Sequence, residues 1–182
     1  MEYRKTVILK DGTECLLRNG EDSDAEAVYR CFQLTHGETE NLLSYPEENS
    51  FDISQEGQFL LDQKESENAV EICAFLEGRL AGTAGIGPVG KNLKVKHRAE
   101  FGVSIEKSFW GRGIGRALTE ACIECARKAG YLQLELDVVS TNRNAAALYK
   151  SVGFVEYGRN PRGFCTRSGE WQELILMRLE LV

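Results

Sequence analysis

The sequence predicts an α+β fold, a mixed α/β arrangement around one central sheet, and three observations carry that expectation. Runs with strand-like alternation stand near both ends of the chain, as in "TVILKDGTECLLRNG" and "WQELILMRLEL". Two stretches, 25–37 and 113–128, instead repeat apolar residues at helical spacing. The second half runs strand, helix, strand, helix, strand without long linkers, internal repeats or low-complexity tracts.

Taken in order, the first strand turns at Asp11-Gly12 into a second that ends near Arg18. Ser23 with Glu26 reads as a capping box, opening a helix whose apolar face is Ala25, Val28, Cys31 and Phe32 and which ends near Gly37. The acidic stretch 38–52, with Pro46, reads as loop or short helix. "SQEGQFLLDQKES" reads as a second helix weakened by Gly57. "AVEICAFL" and "LAGTAGIG" flank "EGR", a hairpin signal, and "KVKHRAEFGVSI" reads as a long strand. A helix then places Ile114, Leu118, Cys122 and Cys125 on one stripe, and Gly130 stops it. "LQLELDV" alternates strictly as a strand, "NRNAAALYKSV" is a helix closed by Gly153, and "FVEYGR" and "WQELILMRLEL" close the chain as strands.

Composition narrows the class. With 182 residues, 42% hydrophobic and 27% charged, the chain suits one domain spanning 1–182 with a real core. No run approaches a membrane span, and the N-terminal apolar stretch is too short for a secretory signal, so a cytoplasmic protein with no membrane role is expected. The six cysteines are scattered; Cys122 and Cys125 form a C-x-x-C inside a helix with no second pair at zinc spacing, which reads as buried free thiols and no metal. A net charge of −6 argues against a nucleic-acid partner. From His36 to Glu71 there are ten acidic residues against Lys64 alone, which is either a solvated face or a site that attracts a cation.

The chemistry concentrates in "FWGRGIGR", residues 109–116, where glycines 111, 113 and 115 join a strand to a helix. Such a turn aims several free N–H groups at one point, and the helix dipole favours an anion there. Arg112 and Arg116 add positive charge to the same neighbourhood. The dinucleotide fingerprint fails because its last glycine falls on Arg116 or Leu118, although Glu135 stands about twenty residues on; the nucleotide P-loop is absent. A second constellation is "DVVSTNRNAAALYKSVGF", in which Asn142, Ala145 and Tyr149 share one helix side. Taken singly, these residues read as an N-cap and a core tyrosine.

Together, "GVSIEKSFWGRGIGRAL" and "LELDVVSTNRNAAALYKSVGF" resemble the GNAT superfamily of N-acetyltransferases. The first is similar to the family's pyrophosphate turn, Q/R-x-x-G-x-G/A; the second matches its N-x-x-A-x-x-L-Y-x-x-x-G-F element from Asn142 to Phe154. Trp110 departs from the family by occupying the usual Gln/Arg position. The resemblance implies a GNAT-like fold: a mostly antiparallel sheet of about seven strands flanked by helices, with splayed parallel strands forming an acetyl-CoA cleft. It implies acetyl-CoA (coenzyme A) as cosubstrate, with backbone from Val103, Ser104 and Ile105 along the pantetheine arm and one N–H polarising the thioester. Gly111, Arg112, Gly113, Ile114, Gly115 and Arg116 would cradle the pyrophosphate, with Asn142, Ala145 and Tyr149 beside the arm and sulfur.

By the same resemblance the activity is N-acetyl transfer by direct attack of an amine, with Tyr149 as the acid for the departing thiolate. Glu100 and Asp137 are the candidate bases and Glu135 a weaker third; each could equally be a solvated carboxylate. No cysteine falls at a motif position, which disfavours an acyl-cysteine route. The acceptor is a small-molecule or peptide amine, and a homodimer is expected by family analogy alone. The acids of 38–71 suggest a cationic acceptor, whereas Arg159, Arg162 and Arg167 suggest one bearing a carboxylate. A non-catalytic acyl-CoA-binding or regulatory module on the same fold is the alternative.

Overall fold

A computed structural model describes residues 1–181. Strands β1 (Arg4–Ile8) and β2 (Glu14–Asn19) form the first hairpin, and Gly12 takes φ 83° in its turn. Helices α1 (Ala25–Gly37) and α2 (Ile53–Glu65) follow, separated by a loop with a short 3-10 turn at Pro46–Glu48. Next come β3 (Val70–Leu76), β4 (Arg79–Pro88), β5 (Arg98–Ile105) and α3 (Ile114–Lys128). Then β6 (Gln133–Val139), α4 (Arg143–Ser151), β7 (Val155–Cys165) and β8 (Trp171–Glu180) complete the chain.

The eight strands form a single sheet in the order β1-β2-β3-β4-β5-β6-β8-β7, against an expectation of about seven. Every pairing is antiparallel except β5 with β6. That parallel pair is registered only from Arg98↔Gln133 to Glu100↔Glu135, and beyond it the two strands part. Helices α1 and α2 cover one face of the sheet, and α3 covers the other with α4 beside it. The larger core lies on the α3 side, built on residues such as Leu118, Cys122, Phe101 and Leu134. A smaller one on the α1–α2 side holds Val28, Cys31, Leu60 and Cys73. No described helix is long and apolar enough to cross a membrane.

Four local readings change. Helix α1 is not opened by Ser23 and Glu26. Instead the Asp24 carboxylate accepts from Glu21 N at 2.9 Å and from both terminal nitrogens of Arg18 at 2.6 and 2.9 Å. These charge-assisted bonds outcompete a serine hydroxyl. The strand foreseen from Lys94 begins only at Arg98, because 91–97 has no face to bury: Leu93 is 80% exposed and the segment closes into turns. The strand foreseen at 154–159 runs on to Cys165, since Pro161 and Gly163 sit in an edge strand with register shifts, where a missing N–H costs little. Five cysteines are buried free thiols, including Cys122 and Cys125, while Cys165 is exposed.

Candidate functional site

The parting of β5 from β6 makes a cleft of about 1340 Å³ in the middle of the sheet. Pairing decides which backbone groups face it. Glu106 N donates to Ala81 O of β4 and Val89 N to Arg98 O of β5, so the even-numbered residues of β5 spend their backbone groups on β4. Val103 and Ile105 therefore turn their N–H groups to the gap. Ser104 turns its backbone to Thr83 and offers the cleft its side chain. On β6 the bond from Ser140 N to Glu173 O sets the same alternation and leaves the backbone of Asp137 and Val139 facing the gap.

At one end the cleft meets the glycine turn. Gly111 and Gly113 take φ 79° and 102°, the left-handed region that glycine enters without Cβ strain. Gly113 is the N-cap of α3, so the first N–H groups of that helix are free to receive an anion. Gly113, Ile114, Gly115 and Arg116 all line the cleft. The Arg112 side chain does not. It bonds Asp11 Oδ2 at 2.7 Å and Thr13 Oγ1 at 2.9 Å, bracing the turn against the first hairpin. Lys10 stands in its place, its Cγ within van der Waals range of a Cβ built on Gly113. Trp110 Nε1 donates to Ile105 O at 2.8 Å, locking the end of β5 to the turn. That bond explains what the unusual residue does there.

Tyr149 and the carboxylates approach the gap from opposite faces. Tyr149, 7% exposed, packs against Phe101 and Phe154 on the α3 side, and burial pushes its phenol up to about 12. Glu100, Glu135 and Asp137 share the other face by register and alternation. Glu135 is already engaged: it is held by Arg98, Nη2 lying 2.6 Å from Oε2, and this bond keeps its carboxyl below the usual range against the pull of burial. Asp137 has no such partner; burial and then the charge of Glu135 raise it. Glu100, on β5 at the last registered pair before the strands part, is exposed and lines the cleft. Asn142 caps α4, its Oδ1 accepting from Ala145 N at 3.3 Å, and both residues line the cleft.

Two features escaped sequence reasoning. Lys10 lies about a hundred positions from the turn it supports, and only the β1–β2 hairpin brings it there. Glu71, on β3, also lines the cleft; burial pushes its carboxyl up to about 7. It appeared in the sequence as the last of a run of acids, with nothing to distinguish it from solvated neighbours.

A sheet split at one parallel pair, with a glycine-rich helix start at the split, leaves a cleft with free backbone N–H groups along one wall and at one end. The chain belongs to the Acetyltransferase (GNAT) family, whose model matches residues 26–154. It is similar to the L-amino acid N-acyltransferase MnaT of Escherichia coli, 30% identical over 104 residues that cover 57% of this chain and 60% of that one. It also resembles human N-acetyltransferase 8B, 33% identical over 85 residues, 46% of this chain and 37% of that protein; the chain thus spans 60% or less of these two relatives. Among solved structures, an acetyltransferase of the GNAT family from Streptococcus pneumoniae superposes with a TM-score of 0.87 at 29% identity, covering 91% of this chain and 99% of the other. The fold is shared with yncA of Salmonella typhimurium, described as a putative acetyltransferase with its cofactor acetyl-CoA, at a TM-score of 0.81 and 20% identity over 91% and 93% of the two chains.

Proposed function

We propose that residues 1–182 act as one acetyl-CoA-dependent N-acetyltransferase domain that moves an acetyl group to a primary amine. The observation that carries this reading is the joining of three features in one cleft: free helix N–H groups at Gly113, unpaired strand N–H groups at Val103 and Ile105, and the buried phenol of Tyr149. Acetyl-CoA binding in the shared fold of yncA supports it.

Acetyl-CoA, when bound, supplies the thioester that is the acyl donor. The backbone N–H groups of 111–116, with Lys10 and Arg116, hold the pyrophosphate. The N–H groups of Val103 and Ile105 hold the pantetheine arm and polarise the thioester carbonyl. Asn142 and Ala145 flank the arm. An ammonium cannot attack, so a carboxylate on the acidic face, Glu100 or Asp137, takes its proton directly or through water. The amine nitrogen would then bond to the carbonyl carbon as the carbon–sulfur bond breaks. Tyr149, protonated at working pH, gives its proton to the thiolate. The proton that the nitrogen sheds in becoming a neutral amide would return to the Tyr149 phenolate through water.

The test is Tyr149→Phe, assayed for both turnover and acetyl-CoA binding. The reading predicts that kcat falls by about 10²-fold or more while Kd for acetyl-CoA stays within about twofold. Loss of both together would make Tyr149 structural, and tight binding with no turnover in the parent protein would make the chain a binding module.

A further inference from the structure

A second cavity, of about 250 Å³, lies under the acidic face between the sheet and helices α1 and α2. It shares Glu71, Thr83, Ser104 and Phe59 with the cleft wall, so its mouth opens beside the strand that would carry the thioester. The rings of Phe32, Phe51 and Phe59 form its apolar wall. Its inner acid is Glu56, which lines this cavity and not the cleft.

Glu56 is 6% exposed, and among the described residues its carboxylate has neither an ion pair nor a hydrogen bond; burial raises its pKa with no opposing contact. A largely buried carboxylate with no protein cation beside it favours a ligand that neutralises it. A second polar atom of the same cavity is also left over. Asn49 Nδ2 is buried without a partner, although Asn49 Oδ1 accepts from Phe51 N at 3.0 Å. Glu71 stands at the mouth with the Thr83 hydroxyl in hydrogen-bonding reach, in space kept open by Gly85, where any Cβ would collide with Glu71 Oε2. No lysine, arginine or histidine lines this cavity among the described residues.

The arginines that would favour a carboxylate-bearing acceptor are committed elsewhere. Arg159 pairs with Glu156 and Glu173, Arg167 pairs with Glu47 over the Tyr45 ring, and Arg162 lies over Trp171. None of them lines either cavity.

We propose that this pocket selects the acceptor, and that it takes a primary amine carrying a second ammonium a short apolar chain away. The distal ammonium seats on Glu56 among the three phenylalanine rings, which attract a cation as well as a methylene chain. The reacting amine lies at the mouth by Glu71, Thr83 and Ser104, facing the gap. This inference rests on the transferase reading and names its substrate class.

The test compares 1,5-diaminopentane, n-pentylamine and 6-aminohexanoate as acceptors for the full chain at saturating acetyl-CoA, following release of the CoA thiol, with acetyl-CoA binding measured separately. One charged hydrogen bond predicts kcat/KM at least about tenfold higher for the diamine than for pentylamine, with the aminocarboxylate poorest. Glu56→Gln should bring the diamine down to the level of pentylamine, with a loss for the diamine at least about tenfold larger than any change for pentylamine. Its melting temperature should not fall, because the substitution keeps the side chain's shape and removes a charge that burial disfavours and no protein cation offsets.

Equal or better turnover of pentylamine or 6-aminohexanoate overturns the proposal, on the parent protein alone. So does a Glu56→Gln loss shared equally by the diamine and pentylamine. With α-amino acids and peptides assayed alongside, turnover confined to them sinks this inference and leaves the transferase reading standing. Bound acetyl-CoA with no amine turned over contradicts both, as does absence of acetyl-CoA binding.

Discussion

Asp24 shows how one side chain holds a corner of the fold. Burial works to raise its pKa, but the hydrogen bonds from Arg18 and from Glu21 N outweigh it and hold the carboxyl below its usual value. A depressed carboxylate stabilises the fold above its unfolded pKa of about 4, and that contribution is lost as pH falls through the folded value. Asp24→Asn is therefore expected to lower stability by about 1–3 kcal/mol at pH 7, with the gap to the parent protein closing below about pH 4, as thermal melts across pH would show. Tyr149 works in the opposite sense. With its phenol near 12, the proton it would donate is still present at pH 10, so kcat should show no alkaline fall from this group between pH 7 and 10. Trp110 is the residue where a departure from the family pattern acquires a physical meaning, because its indole N–H ties Ile105 O to the glycine turn. Replacing Trp110 with Phe keeps the ring and loses that bond. Acetyl-CoA affinity, read by calorimetry, is expected to drop by about three- to tenfold, the worth of one hydrogen bond of roughly 1 kcal/mol.

At the scale of elements, what was legible in the sequence was whatever local chemistry decides. Helix α3 could be read from its stripe and from Gly130, and α4 from Asn142 and Gly153, because caps and apolar spacing are local. The errors arose where a distant partner decides. Lys94 to His97 alternates like a strand, yet no neighbour covers it, and β7 continues past Pro161 because β8 pairs with it again at Phe164 and Cys165, beyond an irregularity at 161–163. Helix α2 survives Gly57 because Asp52 caps it, its Oδ1 accepting from Gln55 N at 2.8 Å, and because Leu60 is fully buried in the smaller core. The glycine turn is the element on which the site depends. Gly113→Ala forces a Cβ into φ 102°, a strain of about 1–2 kcal/mol that disturbs the start of α3. Weaker acetyl-CoA binding together with a lower melting temperature is the expected result. An unchanged affinity would detach the turn from the cofactor.

The molecule as a whole is electrically divided along its cleft. Lys10 and Arg116 stand at the glycine turn, and Glu71, Glu100, Glu135 and Asp137 stand on the face under α1 and α2. One end suits phosphate and the other suits an ammonium. Both halves of the family signature were legible in the sequence because they are contiguous, running from Gly102 to Phe154. The acceptor pocket was not, because Phe32, Glu56 and Glu71 come from three separate elements and converge only when the sheet forms. Removing Lys10 as Lys10→Ala should weaken acetyl-CoA and leave the acceptor KM unchanged. The effect should shrink at high salt, since the contact is between exposed charges.

The central claim is that this cleft carries acetyl transfer, and the most direct measurement is product formation. The purified chain would be incubated with isotope-labelled acetyl-CoA and a pool of diamines, amino acids, aminoglycosides and peptides, and labelled amides sought by mass spectrometry. The account predicts a labelled N-acetyl amine, with the diamines leading. Tight acetyl-CoA binding with no labelled amine, or no binding at all, would contradict it.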